Sequence, residues 1–292
     1  MRYGMPWQGS KSRIAEQLVA VLPSSHTLVD LFAGGCAVTH AALLSGKWES
    51  IIANDRTDSV KCFFAAINGE FDGYTSCPTR EEWKREREDN IANAIIMSFA
   101  NSRVNYLWSE ELERIKRPAS KMLMSNSLWE RYSWYAKFCA ELASYIANSG
   151  QPDRAFELQS MEGIHLLQDL ERLQRLEDLE RLQRLQTDYR LVDVPDGATV
   201  YADPPYRETD GSSTYGEFDF DAFDMWLAGV DFPVFVSEFD APPGCVEVAS
   251  FDRVTSMAAS ATTHVTERLF VQERFADAIE LEGQMALDWS DA

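Results

Sequence analysis

Thr27-Leu28-Val29-Asp30-Leu31 is a short apolar run that meets Gly34-Gly35, continues into the helix-compatible stretch Ala37–Leu44, and is followed by a second run, Ser50–Ala53, ending at Asn54-Asp55. Short apolar runs bounded by glycine and turn residues read as buried strands. Strand, glycine turn, helix, strand is the opening of a doubly wound α/β sheet. An amphipathic stretch, Lys11–Leu22, precedes it. Strand patterns return at 198–202, 233–237, 245–249 and 267–271. Residues 76 to about 150 are instead rich in Trp, Arg, Glu and Met with helical periodicity, which reads as a helical insertion interrupting one sheet.

The 292 residues suffice for one full-sized domain carrying an insertion, or for two small domains. With 45% apolar and 25% charged residues the chain can bury enough surface to fold, which excludes extensive disorder. The five cysteines are scattered, odd in number and never spaced Cys-x-x-Cys, so neither a disulfide framework nor a zinc site is expected. The four histidines are far apart, read as structural, and no metal is expected. Residues 1–7 lack the apolar run of a signal peptide, and no stretch approaches a membrane span. A cytoplasmic protein is expected.

The net charge of -20 opposes a polyanionic partner, since affinity for phosphates comes from Lys and Arg. The objection is local. Between Thr79 and Lys137 eleven basic residues stand with nine acidic ones, so any surface facing a polyanion is expected in the insertion, with Arg103, Lys116, Arg117 and Lys121 as the candidates for phosphate or base contact. The aromatic run Trp129–Trp134 reads as helix packing rather than base stacking. From Leu158 to Leu185 apolar residues recur every third position, including a near copy of one nine-residue unit. Each such step falls about 60° short of a helical turn, so the positions wind around a helix instead of forming a stripe. This repeat reads first as a structural spacer, with target recognition or oligomerisation as the other reading. The segments are therefore 1–75 and 196–275 for the sheet domain, 76–157 for the insertion, 158–187 for the repeat and 276–292 for an acidic tail.

Asp203-Pro204-Pro205-Tyr206 follows the strand expected at 198–202 and thus sits at a strand's carboxyl end, where open α/β sheets bind ligands. Two prolines fix a short loop and remove two N–H donors while leaving carbonyl acceptors. That suits a site holding an amino group. An exocyclic adenine amine is a poor nucleophile because its lone pair is conjugated with the ring. A carboxylate and a prolyl carbonyl can bind its two N–H groups and favour a pyramidal nitrogen, and a tyrosine ring can stack on an extruded base. Asp30 and Gly34-Gly35 form a turn that admits a ligand close to the backbone, although such turns also serve purely structural ends. Asp55 ends the next strand, where a carboxylate either receives a ribose diol or caps a helix.

These motifs, in this order, resemble the Dam-type and phage-type adenine-N6 DNA methyltransferases, and the resemblance covers nearly the whole chain. It implies a Rossmann-like S-adenosylmethionine-dependent methyltransferase sheet with an inserted, mainly helical target-recognition region. By that resemblance Trp7 and Lys11, within Pro6-Trp7-Gln8-Gly9-Ser10-Lys11, lie against S-adenosylmethionine. Asp30, Phe32 and Gly34 surround its methionine part, and Asp55 binds its ribose. Asp203, Pro204, Pro205 and Tyr206 form the catalytic loop, Thr214-Tyr215 and Phe218 help hold the flipped adenine, and Ser237-Glu238-Phe239 buttresses the pocket. Ser98–Ser102, Tyr106-Leu107 and Lys116 resemble a segment recurring in phage-type members. The implied partner is DNA, double-stranded and with an adenine target. Gly34-Gly35-Cys36 stands where many members have Gly-x-Gly, and the tail from Val271 carries six acids and one Arg. RNA adenine as the substrate, and an acidic binding protein or DNA mimic on the same fold, are the alternatives.

Overall fold

The computed structural model describes residues 3–5, 7, 9–70, 76–98, 103–149, 179–207, 218–258 and 261–279. Two compact units emerge, one of residues 1–5, 9–64 and 175–292, the other of residues 6–8 and 65–174.

The first unit is a seven-stranded mixed sheet ordered β3-β2-β1-β4-β5-β7-β6. Its strands are β1 (Thr27–Asp30), β2 (Ser50–Asn54), β3 (Leu182–Leu185), β4 (Thr199–Ala202), β5 (Val234–Glu238), β6 (Cys245–Ala258) and β7 (Ala261–Gln272). The first five run parallel, and β7 pairs antiparallel with both β5 and β6. This is the Rossmann-like methyltransferase sheet that the resemblance implies. Central strands β1 and β4 are buried at every position, as a parallel strand covered on both faces must be. One face packs Val29, Leu31, Val200, Val234 and Val236 against Tyr189, Phe223 and Leu227.

Around the sheet lie α1 (Ala15–Val21), α2 (Ala37–Ser45) and α3 (Ser59–Ile67), the last running into the second unit, together with α8 (Phe220–Gly229) and the short α9 (Glu273–Ala276). Neither α3 nor α8 is among the elements expected from the sequence. Helix α8 has a physical signature all the same, because Asp219 accepts the Ala222 amide at 2.9 Å as an N-cap. The end of the leucine repeat differs from the sequence reading. Leu182–Leu185 is not spacer but strand β3, paired in parallel with β2. It is an edge strand in which Leu182 is buried and Gln183 and Arg184 are exposed, so it carries no long apolar run to betray it. The repeat from Leu158 to Asp178 lies outside the described residues.

The second unit contains α4 (Arg80–Glu86), α5 (Ile91–Ile96), α6 (Glu110–Met124) and α7 (Leu128–Ser149), the helical insertion expected from composition. Thr79 and Glu82 form a reciprocal capping box on α4. Trp83 is fully buried, donates to Asn93 O at 3.1 Å and meets the ring of Tyr106, whose hydroxyl donates to Pro78 O at 2.7 Å.

The amino-terminal segment clasps the glycine turn. Met5 N donates to Gly35 O at 2.7 Å and Gly4 N donates to His40 Nδ1 at 3.0 Å, an acceptor kept neutral because burial lowers the His40 pKa to about 4. Gly4 has φ of 68°, and a Cβ there would stand 2.4 Å from Gly35 O and 2.6 Å from Ala37 N, backbone atoms that cannot swing aside. Gly4→Ala is expected to cost about 2 kcal/mol or more by forcing this clasp open. Thermal denaturation checks it, and an unchanged melting temperature contradicts the clasp.

Candidate active site

Strand order reverses between β1 and β4, so a crevice opens at their carboxyl ends. Asp30 ends β1, Asp55 follows β2, Asp203 follows β4 and Glu238 ends β5. Parallel pairing of these strands therefore brings acids distant in sequence to one edge.

Asp55 Oδ2 accepts the Gly34 amide at 2.9 Å, and its Oδ1 accepts the amide and hydroxyl of Thr57 at 2.8 and 2.7 Å. The carboxylate thereby ties the glycine turn to β2 and retains a lone pair on Oδ2. Gly34 has φ of 48°, and Cys36 caps α2 at φ of 60°, a left-handed backbone that glycine adopts more readily. Cys36 therefore holds a backbone conformation that carries some steric cost for a side-chain-bearing residue. Asp30 is 1% exposed; its Oδ2 accepts from Thr39 at 2.7 Å, while Oδ1 has no partner among the described residues. Burial, with the charges of Asp203 and Asp55 adding to it, raises the Asp30 pKa to about 7 against the bond from Thr39.

A cavity of about 130 Å³ lies beside these acids, walled by Phe32, Tyr189, Phe218 and Pro205, with Asp55 and Asp188 on its polar side. Phe32, Tyr189, Phe218 and Phe223 are in mutual ring contact at 5.1 to 6.2 Å. Phe218 thus belongs to the cavity with Phe32 and Asp55. Tyr215 and Thr214 lie outside the described residues. Sequence reasoning missed Thr187–Arg190, which line the cavity just past β3. Their one local signal is Asp188, which caps the turn by accepting the Arg190 amide at 3.0 Å. Asn54 was likewise passed over. It donates to Leu31 O and Thr187 O and accepts the Thr187 amide, locking the ends of β1, β2 and β3 together.

Across the edge stands a second cluster. Lys11 Nζ donates to Asp203 Oδ1 at 2.7 Å and lies 4.6 Å from the centroid of the Tyr206 ring. The structure therefore places Lys11, expected against the cofactor, directly on the acid of the Pro-Pro loop. Tyr206 donates its hydroxyl to Glu267, and its ring meets Phe239 in a T-shaped contact at 4.5 Å. Tyr206 is only 8% exposed, so part of the ring surface expected to receive a base is already covered. Burial raises the Asp203 carboxyl above the usual carboxylate range; Lys11 opposes this and Glu267 adds to it. Burial also lifts Glu238 to about 7, against hydrogen bonds from the Phe239 and Arg207 amides. Glu267 was read from the sequence only as the start of a strand. Trp7 is buried and groups with the second unit rather than with Lys11.

The basic candidates of the insertion are largely engaged within it. Arg117 donates to Cys77 O at 3.1 Å and approaches Glu82 at 3.8 Å, and Lys121 lies over the Trp134 ring at 5.6 Å. Arg103 adopts φ of 62° and its carbonyl accepts from Arg87, while Lys116 is half-buried. The helix-packing reading of the aromatic run needs correction. Trp129 is 77% and Tyr132 67% exposed, because they fall on the face of α7 turned from its partner α6.

The orphaned Asp30 oxygen generates a stability prediction. Below about pH 3 the carboxyl is protonated in both folded and unfolded chains. As pH rises toward 7 only the unfolded chain ionises, so Asp30 increasingly opposes folding. Asp30→Asn is expected to stabilise the ligand-free protein at pH 8 by about 1 to 3 kcal/mol and to change little at pH 4. Urea unfolding at the two pH values measures this, and an equal effect at both contradicts a raised pKa.

The model of the D12 class N6 adenine-specific DNA methyltransferase family matches residues 7–225. No curated protein matches the chain in sequence. Among solved structures, the rRNA methyltransferase aviRa from Streptomyces viridochromogenes is similar at 14% identity and a TM-score of 0.30, over 92% of this chain and 87% of that one, too remote a likeness to bear on chemistry. The family match spans the glycine turn, the second-strand acid and the Asp-Pro-Pro-Tyr loop, and on that ground the chain belongs to the D12 class N6 adenine-specific DNA methyltransferases and is a DNA adenine-N6 methyltransferase.

Proposed function

We propose that the chain binds S-adenosylmethionine in the cavity beside Asp55 and methylates a specific adenine of double-stranded DNA that is flipped against Asp203-Pro204-Pro205-Tyr206. The observation that carries this is the Lys11–Asp203 pair at the carboxyl end of β4, next to a cavity whose donors and acceptors fit the cofactor. The buried Asp30 oxygen calls for a cationic donor, which an α-ammonium supplies. Asp55 Oδ2 has acceptor capacity for a ribose hydroxyl, and Phe32, Tyr189 and Phe218 offer apolar walls for an adenosyl group. The acids at this edge also make it attractive to a sulfonium.

When bound, the cofactor supplies a methyl group already activated for transfer. What remains for the protein is position and electrostatics. Asp203 and a carbonyl of the Pro-Pro loop accept the two N6 protons and aim the nitrogen lone pair. Lys11 fixes the Asp203 carboxylate, and Tyr206 and Phe239 wall the base. Direct attack by N6 needs no covalent bond to the enzyme. Arg103, Lys116, Arg117 and Lys121 are proposed near the DNA only through what their packing leaves exposed.

Incubation with unmethylated bacterial DNA and methyl-labelled S-adenosylmethionine, followed by digestion to nucleosides and mass spectrometry, is expected to place label in N6-methyladenine. Asp203→Ala should lower that label by about 10³-fold while S-adenosylmethionine still binds. Undiminished methylation in the variant overturns the assignment of Asp203.

A further inference from the structure

We infer that Glu267 is a positioning residue for methyl transfer: a second buried carboxylate, brought in by the antiparallel strand β7, that holds the Tyr206 hydroxyl and shares the Lys11 ammonium with Asp203. The inference rests on the reading of Asp203 given above. Glu267 is 1% exposed, accepts from the Tyr206 hydroxyl through Oε2, and has that same oxygen 3.8 Å from Lys11 Nζ. Its strand neighbour Arg268 donates to Phe239 O at 3.2 Å, so consecutive residues of β7 secure both aromatic walls of the cluster.

A neutral acceptor would hold a tyrosine hydroxyl at far smaller desolvation cost than a carboxylate. Burying a second acid beside Asp203, whose charge Lys11 alone could balance, is unfavourable for stability and points to function. The chemistry supplies the reason. As N6 attacks, the N–C bond forms and the S–C bond breaks with its electron pair remaining on sulfur. The positive charge passes to N6 until its surplus proton is lost to water. A Lys11–Asp203 pair by itself is neutral and stabilises that developing charge poorly. One ammonium between two carboxylates leaves negative charge in excess where the cation forms.

Glu267→Gln keeps the shape and an acceptor for Tyr206 while removing the charge. It is expected to lower kcat by about tenfold or more, with the calorimetric affinity for S-adenosylmethionine and the KM for DNA within about threefold of wild type. The acid limb of the kcat–pH profile should move to lower pH, because Asp203 loses a negative neighbour. The other groups facing Asp203 stay in place: Lys11 of the amino-terminal segment, Tyr206 of its own loop, Tyr201 of β4, Asp30 of β1 and Glu238 of β5. A merely structural role would lower the melting temperature and leave the limb unmoved. An unchanged kcat and acid limb in folded Glu267→Gln, with Asp203→Ala inactive, overturns the inference and spares the Asp203 reading; an active Asp203→Ala overturns both. Should the Gln variant not fold, Glu267→Asp retains the charge and must keep kcat within about tenfold and the acid limb in place. A greater loss or a shifted limb in Glu267→Asp also overturns the inference.

Discussion

The ion pair between Lys11 and Asp203 joins the amino-terminal segment to a loop 192 residues later in the chain. Much of the site depends on it. An acid at the mouth of a parallel sheet, 18% exposed, would tend to protonate rather than stay charged. A partner at 2.7 Å counters that tendency and sets the carboxylate's orientation. The same lysine approaches Glu267 and the Tyr206 ring, so one ammonium organises residues of the loop after β4 and of β7. The clasp of Gly4 and Met5 on the glycine turn holds the start of that segment against the sheet.

Parallel pairing concentrates acids where ligands bind. Asp30, Asp55, Asp203 and Glu238 follow four strands with a common direction, and each is buried enough for its carboxyl to be raised. Such an arrangement opposes folding by itself. The proposed function gives these acids a reason, because it places cationic groups of a methyl donor at this edge. The chain's strong net negative charge thus has a local counterpart in the site, even though it opposes a polyanionic partner elsewhere.

The helical unit illustrates why counting charges is a weak guide to a DNA surface. Its basic residues stand beside acids or aromatic rings, as with Arg80 and Glu113 at 3.5 Å or Lys121 and Lys137 over Trp134. Arg117 donates to a backbone carbonyl, so part of its guanidinium is already engaged within the unit. Composition locates the insertion, and the packing determines which of its cations remain accessible.

The sequence by itself determined the doubly wound sheet, because buried parallel strands must be short apolar runs and β1, β2, β4 and β5 are such runs. It also pointed to the Asp203–Tyr206 loop as the candidate reacting loop, since two prolines after a strand leave carbonyl acceptors without N–H donors. Edge strand β3 and the cavity wall at Thr187–Arg190 were not legible, for an edge strand needs only one apolar side and its leucines share a period with the repeat before it. Helix α3 was obscured because a largely buried helix needs no polar stripe. Tertiary structure alone decided that Lys11 sits on Asp203, that Phe218 packs with Phe32, and that Glu267 reaches Tyr206. Each of these contacts joins residues far apart in sequence, and only the order and register of the strands bring them within bonding distance.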